Sequence, residues 1–103
     1  MSVLLNFAIF PTDKGASVSQ YVSKVLDFIR DSGVSYRLNP MGTTIETETM
    51  QEALEVVNKA YLILEPLADR IYATINIDAR KGPIGRMDSK ISSIENKIGK
   101  VNL

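Results

Sequence analysis

The sequence predicts an α+β fold, in which two helices cover one face of a four-stranded antiparallel sheet and a further helix follows at the C-terminus. Short runs of apolar or alternating residues are typical of strands, and two longer segments carry apolar residues at helical spacing. These segments occur in the order strand, helix, strand, strand, helix, strand. The 103 residues fit a single domain, 1–103, with one hydrophobic core.

The first strand and the first helix are marked by apolar spacing and by the residues that end them. Residues 3–10 are almost entirely apolar and are followed by Pro11, which is typical of a buried strand. Ser17 and Gln20 have the spacing of a capping box, which predicts the start of a helix. We expect Gly33 to end that helix in a left-handed conformation. The apolar stripe that faces the core consists of Val18, Tyr21, Val22, Val25, Leu26 and Ile29.

A β-hairpin is predicted after the first helix. Residues 34–39 alternate apolar and polar side chains, as a half-buried strand does. Residues 40–42, Pro-Met-Gly, predict a tight turn, and residues 43–48 form the partner strand. In that strand we expect one face to carry Thr44, Glu46 and Glu48, and the other to carry Thr43, Ile45 and Thr47.

The second half of the chain repeats the helix-then-strand pattern. Thr49 and Glu52 form a second capping box, and the helix that follows is expected to stop near Pro66. Residues 71–79 alternate clearly enough to predict a strand, and Asp88 is a candidate cap for a final helix. Two βαβ-like halves joined by a hairpin describe the ferredoxin-like βαββαβ sandwich, with both long helices on the same side of the sheet.

Composition excludes several classes of function. Twelve basic residues balance twelve acidic ones, so neither nucleic acid nor an anionic membrane is an expected partner. The protein has no cysteine and no histidine, so we predict no disulfide, no zinc site of the Cys/His kind and no histidine general base. A carboxylate-only magnesium or calcium site stays open, but the sequence contains no loop of the EF-hand type. We predict no catalytic residue, no metal and no cofactor. Without a membrane-length apolar run or a basic leader, the expected location is the cytoplasm.

Period-two alternation divides the sheet residues between two faces. The helix-covered face is predicted to carry Val3, Leu5, Phe7, Ile9, Ile45, Ile75 and Ile77. The opposite face is predicted to carry Leu4, Asn6, Ala8, Arg37, Asn39, Thr44, Glu46, Glu48, Tyr72, Thr74, Asn76 and Asp78. Such a polar face is either simply solvated, or it pairs with another copy or holds a polar ligand.

Several motifs resemble the small thiamine-binding protein family, the single-domain relatives of the YkoF-like proteins. The matching segments are Pro11, Ser-Gln-Tyr-Val at 19–22, Gly33, Tyr36, Asn-Pro-Met-Gly-Thr-Thr-Ile-Glu at 39–46, Ile-Asp-Ala-Arg at 77–80 and Ser-Lys-Ile-Ser-Ser-Ile-Glu at 89–95. The resemblance covers nearly the whole sequence, and its most specific part is the hairpin pattern Pro-x-x-Thr-Thr-x-Glu. One departure is Thr47, where the family often has glycine.

The resemblance implies a ferredoxin-like subunit that assembles into dimers and tetramers. It also implies binding of thiamine or its hydroxymethylpyrimidine part, without catalytic turnover. An aminopyrimidine presents donor and acceptor edges, so we expect Glu46 to accept from the ring's amino group. The full set of predicted ligand residues is Glu46, Thr44, Asn39, Asn6, Thr43, Tyr36 and Asn76, with Phe10 as an alternative aromatic contact.

For some residues a structural role is equally open. Tyr36 alternates with core residues and fits the core better than a ligand stack. Asp78 and Arg80 are expected either to form a structural or intersubunit ion pair or to contact the ligand.

Three other functions fit this fold. An acylphosphatase-like hydrolase needs a phosphate-binding loop after the first strand, but residues 11–17 offer only one Lys and one Gly beside Asp13. An RNA-binding module needs stacking aromatics and basic residues on its third strand, where residues 43–48 are acidic and lack an aromatic. A structural or regulatory oligomer without a small-molecule ligand stays open as the main alternative.

Overall fold

A computed structural model describes all 103 residues and confirms the predicted ferredoxin-like fold. The elements are β1 (Ser2–Pro11), α1 (Ser19–Ser32), β2 (Ser35–Asn39), β3 (Gly42–Thr47), α2 (Met50–Leu64), a 3₁₀ turn (Glu65–Leu67), β4 (Ile71–Arg80) and α3 (Arg86–Ile98). The sheet has the strand order β2-β3-β1-β4, and every neighbouring pair is antiparallel. None of the three helices has the length and apolarity that a membrane crossing needs.

The register of the sheet agrees with the predicted division of its faces. Leu5 of β1 lies opposite Ile45 of β3 and Ile77 of β4, so these three residues share the helix-covered face. The next residue of β1, Asn6, lies opposite Thr44 of β3 and Asn76 of β4. The core between sheet and helices consists of Val3, Leu5, Phe7, Ile9, Val25, Ile29, Ile45, Ala53, Ala60 and Leu64.

Helix α1 differs from the prediction at its start. It begins at Ser19 with Val18 as the N-cap and has no side-chain capping bond, so the predicted capping box of Ser17 and Gln20 is wrong. The carbonyl of Val18 accepts from the N–H groups of Tyr21 and Val22, while its apolar side chain is half-buried. Apolar contact, rather than a side-chain hydrogen bond, therefore fixes the entry into α1.

Two other helix boundaries, at Gly33 and Thr49, are predicted correctly. Gly33 ends α1 with a φ of +82°, the left-handed conformation that favours glycine. Thr49 caps α2, since its hydroxyl accepts from the Glu52 N–H at 3.1 Å and donates to the Glu52 carboxylate at 2.8 Å.

Strand β4 is less covered than the sequence predicted. Ile75 and Ile77 do lie on the helix side of the sheet, opposite Phe7 and Leu5, yet each keeps 42% of its surface exposed. The reason is the strand order: β4 is an edge strand, and the two helices pack mainly over the interior of the sheet. The predicted face of both isoleucines is therefore correct, although neither is buried in a single subunit.

Candidate functional site

Six of the seven predicted ligand residues fall at three places in the structure. Asn39 and Thr43 line a cavity beside the β2–β3 hairpin. Asn6, Thr44 and Asn76 form a row across the sheet face that α1 and α2 leave open. Glu46 of β3 contacts the start of α3. The seventh, Tyr36, pairs with Ile45 and is half-buried against the hydrophobic core. The structure therefore does not gather the seven residues into one pocket.

The hairpin cavity lies between the start of α1, the end of β1 and the turn that joins β2 to β3. Its volume is about 560 Å³, and ten of its 14 lining residues are hydrophobic. Both figures are typical of small-molecule sites, which combine apolar walls with a few polar groups. The polar side chains in the lining are Asn39 and Thr43, and none of the lining residues is charged.

Local contacts explain the shape of the hairpin that borders this cavity. The Met41 N–H donates to the Asn39 side-chain oxygen at 2.9 Å, which closes the turn over Pro40. Gly42 passes so close to β1 that a Cβ added there would lie 2.9 Å from the Phe7 carbonyl oxygen. Only glycine lets the hairpin approach β1 in this way, so Gly42 does more than complete a turn.

One wall of the hairpin cavity is the backbone edge of β1. Strand β3 pairs with β1 only as far as Phe7 opposite Thr43, whereas β4 continues to Pro11 opposite Ile71. Four consecutive β1 residues, 7–10, line the cavity. Because successive side chains point to opposite faces of a sheet, an unbroken run of lining residues means that the cavity follows the strand's edge.

The polar row on the open sheet face is held by a side-chain hydrogen bond. The Thr44 hydroxyl donates to the Asn6 side-chain oxygen at 3.0 Å. Asn76 lies opposite Asn6 on the other side of β1 and is exposed. The predicted grouping of these three residues agrees with the register, and the row forms a shallow polar strip rather than an enclosed pocket.

Glu46 is almost buried, with 7% of its surface exposed, and its carboxylate binds the start of α3. One carboxylate oxygen accepts from the Ser2 hydroxyl at 2.6 Å, from the Gly85 N–H at 2.9 Å and from the Arg86 N–H at 3.1 Å. The other oxygen lies 3.4 Å from the Met87 N–H. These are the bonds of a helix cap, supplied by a strand instead of a neighbouring residue.

The environment of Glu46 sets the direction of its pKa. Burial alone raises the pKa of a carboxyl group, but the hydrogen bonds from Ser2, Arg86, Met87 and Gly85 together lower the Glu46 pKa below its ordinary value of 4.5. The carboxylate is therefore ionised at neutral pH, and its acceptor positions are used within the subunit. Its role as a ligand contact stays a prediction.

The cap of α3 corrects the sequence reading of Asp88. Helix α3 begins at Arg86 with Gly85 as its N-cap, at a φ of +104°, so Asp88 lies inside the first turn and does not cap the helix. Asp88 instead pairs with Arg37 of β2. Because Glu46 reaches the free N–H groups from the sheet, the helix needs no cap from its own sequence.

Arg86 is a central residue of this region that the sequence did not reveal. It is 7% exposed, and its guanidinium donates to the Ser2 hydroxyl at 2.9 Å, the Ser2 carbonyl at 2.8 Å and the Asp78 carbonyl at 2.7 Å. It also pairs with the Asp78 carboxylate at 3.1 Å, as does Lys90. Lys90 first, and Arg86 with it, lower the pKa of Asp78. Asp78 therefore pairs with α3 and not with Arg80.

Aromatic side chains also border the hairpin cavity. Phe10 lines the cavity, and its ring centroid lies 5.9 Å from that of Tyr72 on β4 at an interplanar angle of 47°. A tilted pair at this distance is a favourable aromatic contact. No group of three or more acidic side chains comes together in a way that could hold a metal ion.

Comparison with known proteins adds a family to this geometry. A family model described as "Thiamine-binding protein" matches residues 5–95. UPF0045 proteins of Mycobacterium bovis and Mycobacterium tuberculosis are each 34% identical over 95 residues, which is 92% of this chain and 93% of theirs.

Solved structures share the fold. A Methanocaldococcus jannaschii protein is 31% identical with a TM-score of 0.78, covering 90% of this chain and 95% of that one. A Thermotoga maritima protein, described provisionally as a thiamine biosynthesis/salvage protein, also has a TM-score of 0.78. At 23% identity, over 91% of this chain and 99% of that one, this second likeness concerns the fold alone.

Proposed function

The chain belongs to the thiamine-binding protein family, and we propose that it binds thiamine, or the hydroxymethylpyrimidine part of thiamine, without catalytic turnover, as a cytoplasmic homo-oligomer. The observation that carries the proposal is the hairpin cavity, because it is an apolar pocket of about 560 Å³. It is bordered by residues 39–43, which include the first four residues of the hairpin pattern that most resembles the family.

The lining of the cavity suits the pyrimidine better than the thiazolium. Its walls are apolar and uncharged, which favours a neutral aromatic ring over a cation. The Asn39 amide and the Thr43 hydroxyl offer both donors and acceptors to the ring's substituents. The positively charged thiazolium would then remain near the solvent-facing mouth, where the exposed Met41 lies.

A cavity-filling variant tests this proposal. Val22 is half-buried on the cavity wall, so Val22→Phe should place a ring in the space that the ligand needs. Val56→Phe is a matched control, because Val56 is half-buried in the groove between α1 and α2, outside the cavity. Isothermal titration with thiamine should give saturable heat for the wild type and for Val56→Phe, and none for Val22→Phe.

Two outcomes of that titration would contradict the proposal. Absence of heat with the wild type at millimolar thiamine would contradict thiamine as the ligand. The structural or regulatory oligomer would then be the better explanation. Equal binding by Val22→Phe would move the ligand out of the cavity. Titrating Glu46→Ala and Thr44→Ala in the same series tests the predicted ligand residues on the other two parts of the surface.

A second copy of the protein is the proposed occupant of the exposed β4 flank, which we define as Leu54, Tyr61, Ile75 and Ile77. All four side chains are exposed, and the two on α2 lie on the side that faces away from α1. Strand β4 is an edge of ten residues that contains neither proline nor lysine, and charge occurs only near its end. Exposed apolar edges of this length are normally covered, since they otherwise aggregate.

Symmetry favours a copy of the same protein over another partner for this flank. An antiparallel strand edge can pair with itself about a two-fold axis, so β4 of one copy can extend the sheet of the other. The same two-fold axis brings each apolar flank against its counterpart, which buries Ile75 and Ile77 from both copies.

Light scattering tests the assembly. The wild type should have at least twice the 11.4 kDa subunit mass, and Ile77→Asp should fall toward a single subunit. Ile94→Asp is the matched control, because Ile94 is similarly exposed but lies on α3, outside the β4 flank. A wild type of 11.4 kDa, or an Ile77→Asp variant of unchanged mass, would contradict a second copy at this surface.

A further inference from the structure

We propose that the backbone of Ile9 recognises the aminopyrimidine edge of the ligand, through its amide N–H and carbonyl groups at the uncovered edge of β1. This inference rests on the proposed function. Strand β1 is paired with β4 along its full length, but with β3 only in part.

The pattern of β1 fixes where the Ile9 groups point. In an antiparallel strand the N–H and carbonyl of one residue point to the same neighbour, and successive residues alternate. The Thr12 N–H donates to the Arg70 carbonyl at 2.9 Å, just beyond the end of β4. Since the register with β4 is unbroken, the even-numbered residues of β1 face β4 and the odd-numbered residues face β3.

Ile9 is the first odd-numbered residue beyond the end of β3. The pairing with β3 stops at Phe7 opposite Thr43, so on the β3 side no strand lies opposite Ile9. The next odd-numbered residue is Pro11, which has no N–H. Ile9 therefore offers the single backbone donor on this part of the edge, beside its own carbonyl acceptor.

The hairpin turn explains why the N–H and carbonyl of Ile9 have no strand partner. An extended register would place Met41 opposite Ile9, because paired residues of β1 and β3 advance in opposite directions. The Met41 N–H instead donates to the Asn39 side chain at 2.9 Å, and the Met41 side chain is 88% exposed. The turn thus leads away from β1 and leaves the hairpin cavity against Ile9.

The chemistry of the ligand matches this pair of groups. A 4-aminopyrimidine has an amino donor next to a ring-nitrogen acceptor, which complements a backbone carbonyl beside a backbone N–H. The apolar walls of the cavity exclude water and so strengthen both hydrogen bonds. The free edge offers only one donor, so it suits a flat heterocycle and is too short to add a strand.

A pair of ligands tests the recognition separately from the function. Isothermal titration should show binding of hydroxymethylpyrimidine with its 4-amino group, and roughly tenfold or greater loss for the same ring without that group. Equal affinity for the two rings, with thiamine bound, would overturn the role of Ile9 and leave the proposed function standing. No binding of thiamine or of either ring would remove the proposed function itself.

An amide-to-ester replacement at Ile9 tests the backbone donor directly. The protein has no cysteine, so a synthetic segment 1–15 can be ligated to a segment that begins with cysteine in place of Ala16 and then be desulfurised to the native alanine. The ester keeps the isoleucine side chain and removes the Ile9 N–H, and it also makes the Ala8 carbonyl, which faces β4, a weaker acceptor. Thiamine affinity should fall about tenfold, while the midpoint of thermal unfolding should fall less than for an ester at a residue whose N–H has a strand partner.

The matched control is the same replacement at Phe7, whose N–H faces Thr43 within the sheet. That ester should lower the midpoint of thermal unfolding. Unchanged thiamine affinity in the Ile9 ester, with the fold intact, would overturn the inference.

Discussion

Glu46 connects the sheet to the last helix, and its surroundings determine what a carboxylate at this position does. It receives one side-chain and three backbone hydrogen bonds, and nearly all of its surface is covered. Arg86 stands beside it and joins β1 to β4 through Ser2 and Asp78. These contacts hold α3 against the sheet face that α1 and α2 leave open.

The pKa of Glu46 predicts an acid-dependent loss of stability. Its folded-state pKa lies below 4.5, so the ionised group stabilises the fold above that value, and this contribution is lost as pH falls through the folded pKa. Glu46→Gln should lower the free energy of unfolding by about 1–3 kcal/mol at neutral pH. Urea unfolding of both proteins at neutral and acidic pH should show the difference shrinking in acid.

The control for this measurement is Glu48→Gln, because Glu48 is two residues away on the same strand extension and is exposed. It should change the free energy of unfolding little at either pH. A Glu46→Gln difference that stays constant down to strongly acidic pH would contradict the proposed cap.

The sequence anticipated only part of this cluster. Alternation placed Glu46 on the open face, where a carboxylate that becomes covered needs a partner. It did not reveal that the partner is a helix start some 40 residues later, or that Arg86 returns to Ser2 across 84 positions. Such contacts depend on where α3 packs, which no local pattern encodes.

Among the elements, the β2–β3 hairpin has the tightest geometric requirement. A side chain at Gly42 would press on the Phe7 carbonyl, and that backbone atom has no freedom to move aside in a central strand. Gly42→Ala should therefore lower the free energy of unfolding by roughly 1–3 kcal/mol and also weaken thiamine binding by displacing the hairpin. Chemical unfolding and isothermal titration measure the two effects.

Met41→Ala is the control for the hairpin, because Met41 belongs to the same turn and its side chain is almost fully exposed. It should leave the free energy of unfolding nearly unchanged. A Gly42→Ala variant as stable as the wild type would show that the hairpin can shift, and would contradict the close approach described above.

Local patterns predicted the order of the strands and helices correctly, but only some of the helix caps. Strand and helix order follows from apolar periodicity, which each segment carries in its own residues. The Thr49–Glu52 box was predicted correctly, and its bonds join residues three positions apart. The caps predicted at Ser17 and Asp88 were wrong. Val18 begins α1 through apolar contact, and the carboxylate of Glu46 on a distant strand accepts from the N–H groups at the start of α3.

On the scale of the whole molecule, the strand order determines how much of a sheet residue is covered, which alternation does not predict. The residue pattern of β4 is that of a strand with one core face, yet its place at the edge leaves Ile75 and Ile77 exposed in a single subunit. A second copy on this surface would cover both side chains, so the homo-oligomer that we propose accounts for apolar residues at an exposed edge.

A nuclear magnetic resonance titration would show whether a thiamine-type ligand occupies the hairpin cavity. Thiamine added to ¹⁵N-labelled protein should shift the amide signals of residues 8–10 and of the turn around Met41, saturably and with the largest change at Ile9. The amide signals of α3 should stay in place. Absence of shifts at millimolar thiamine, or shifts confined to Glu46 and α3, would contradict occupancy of the cavity.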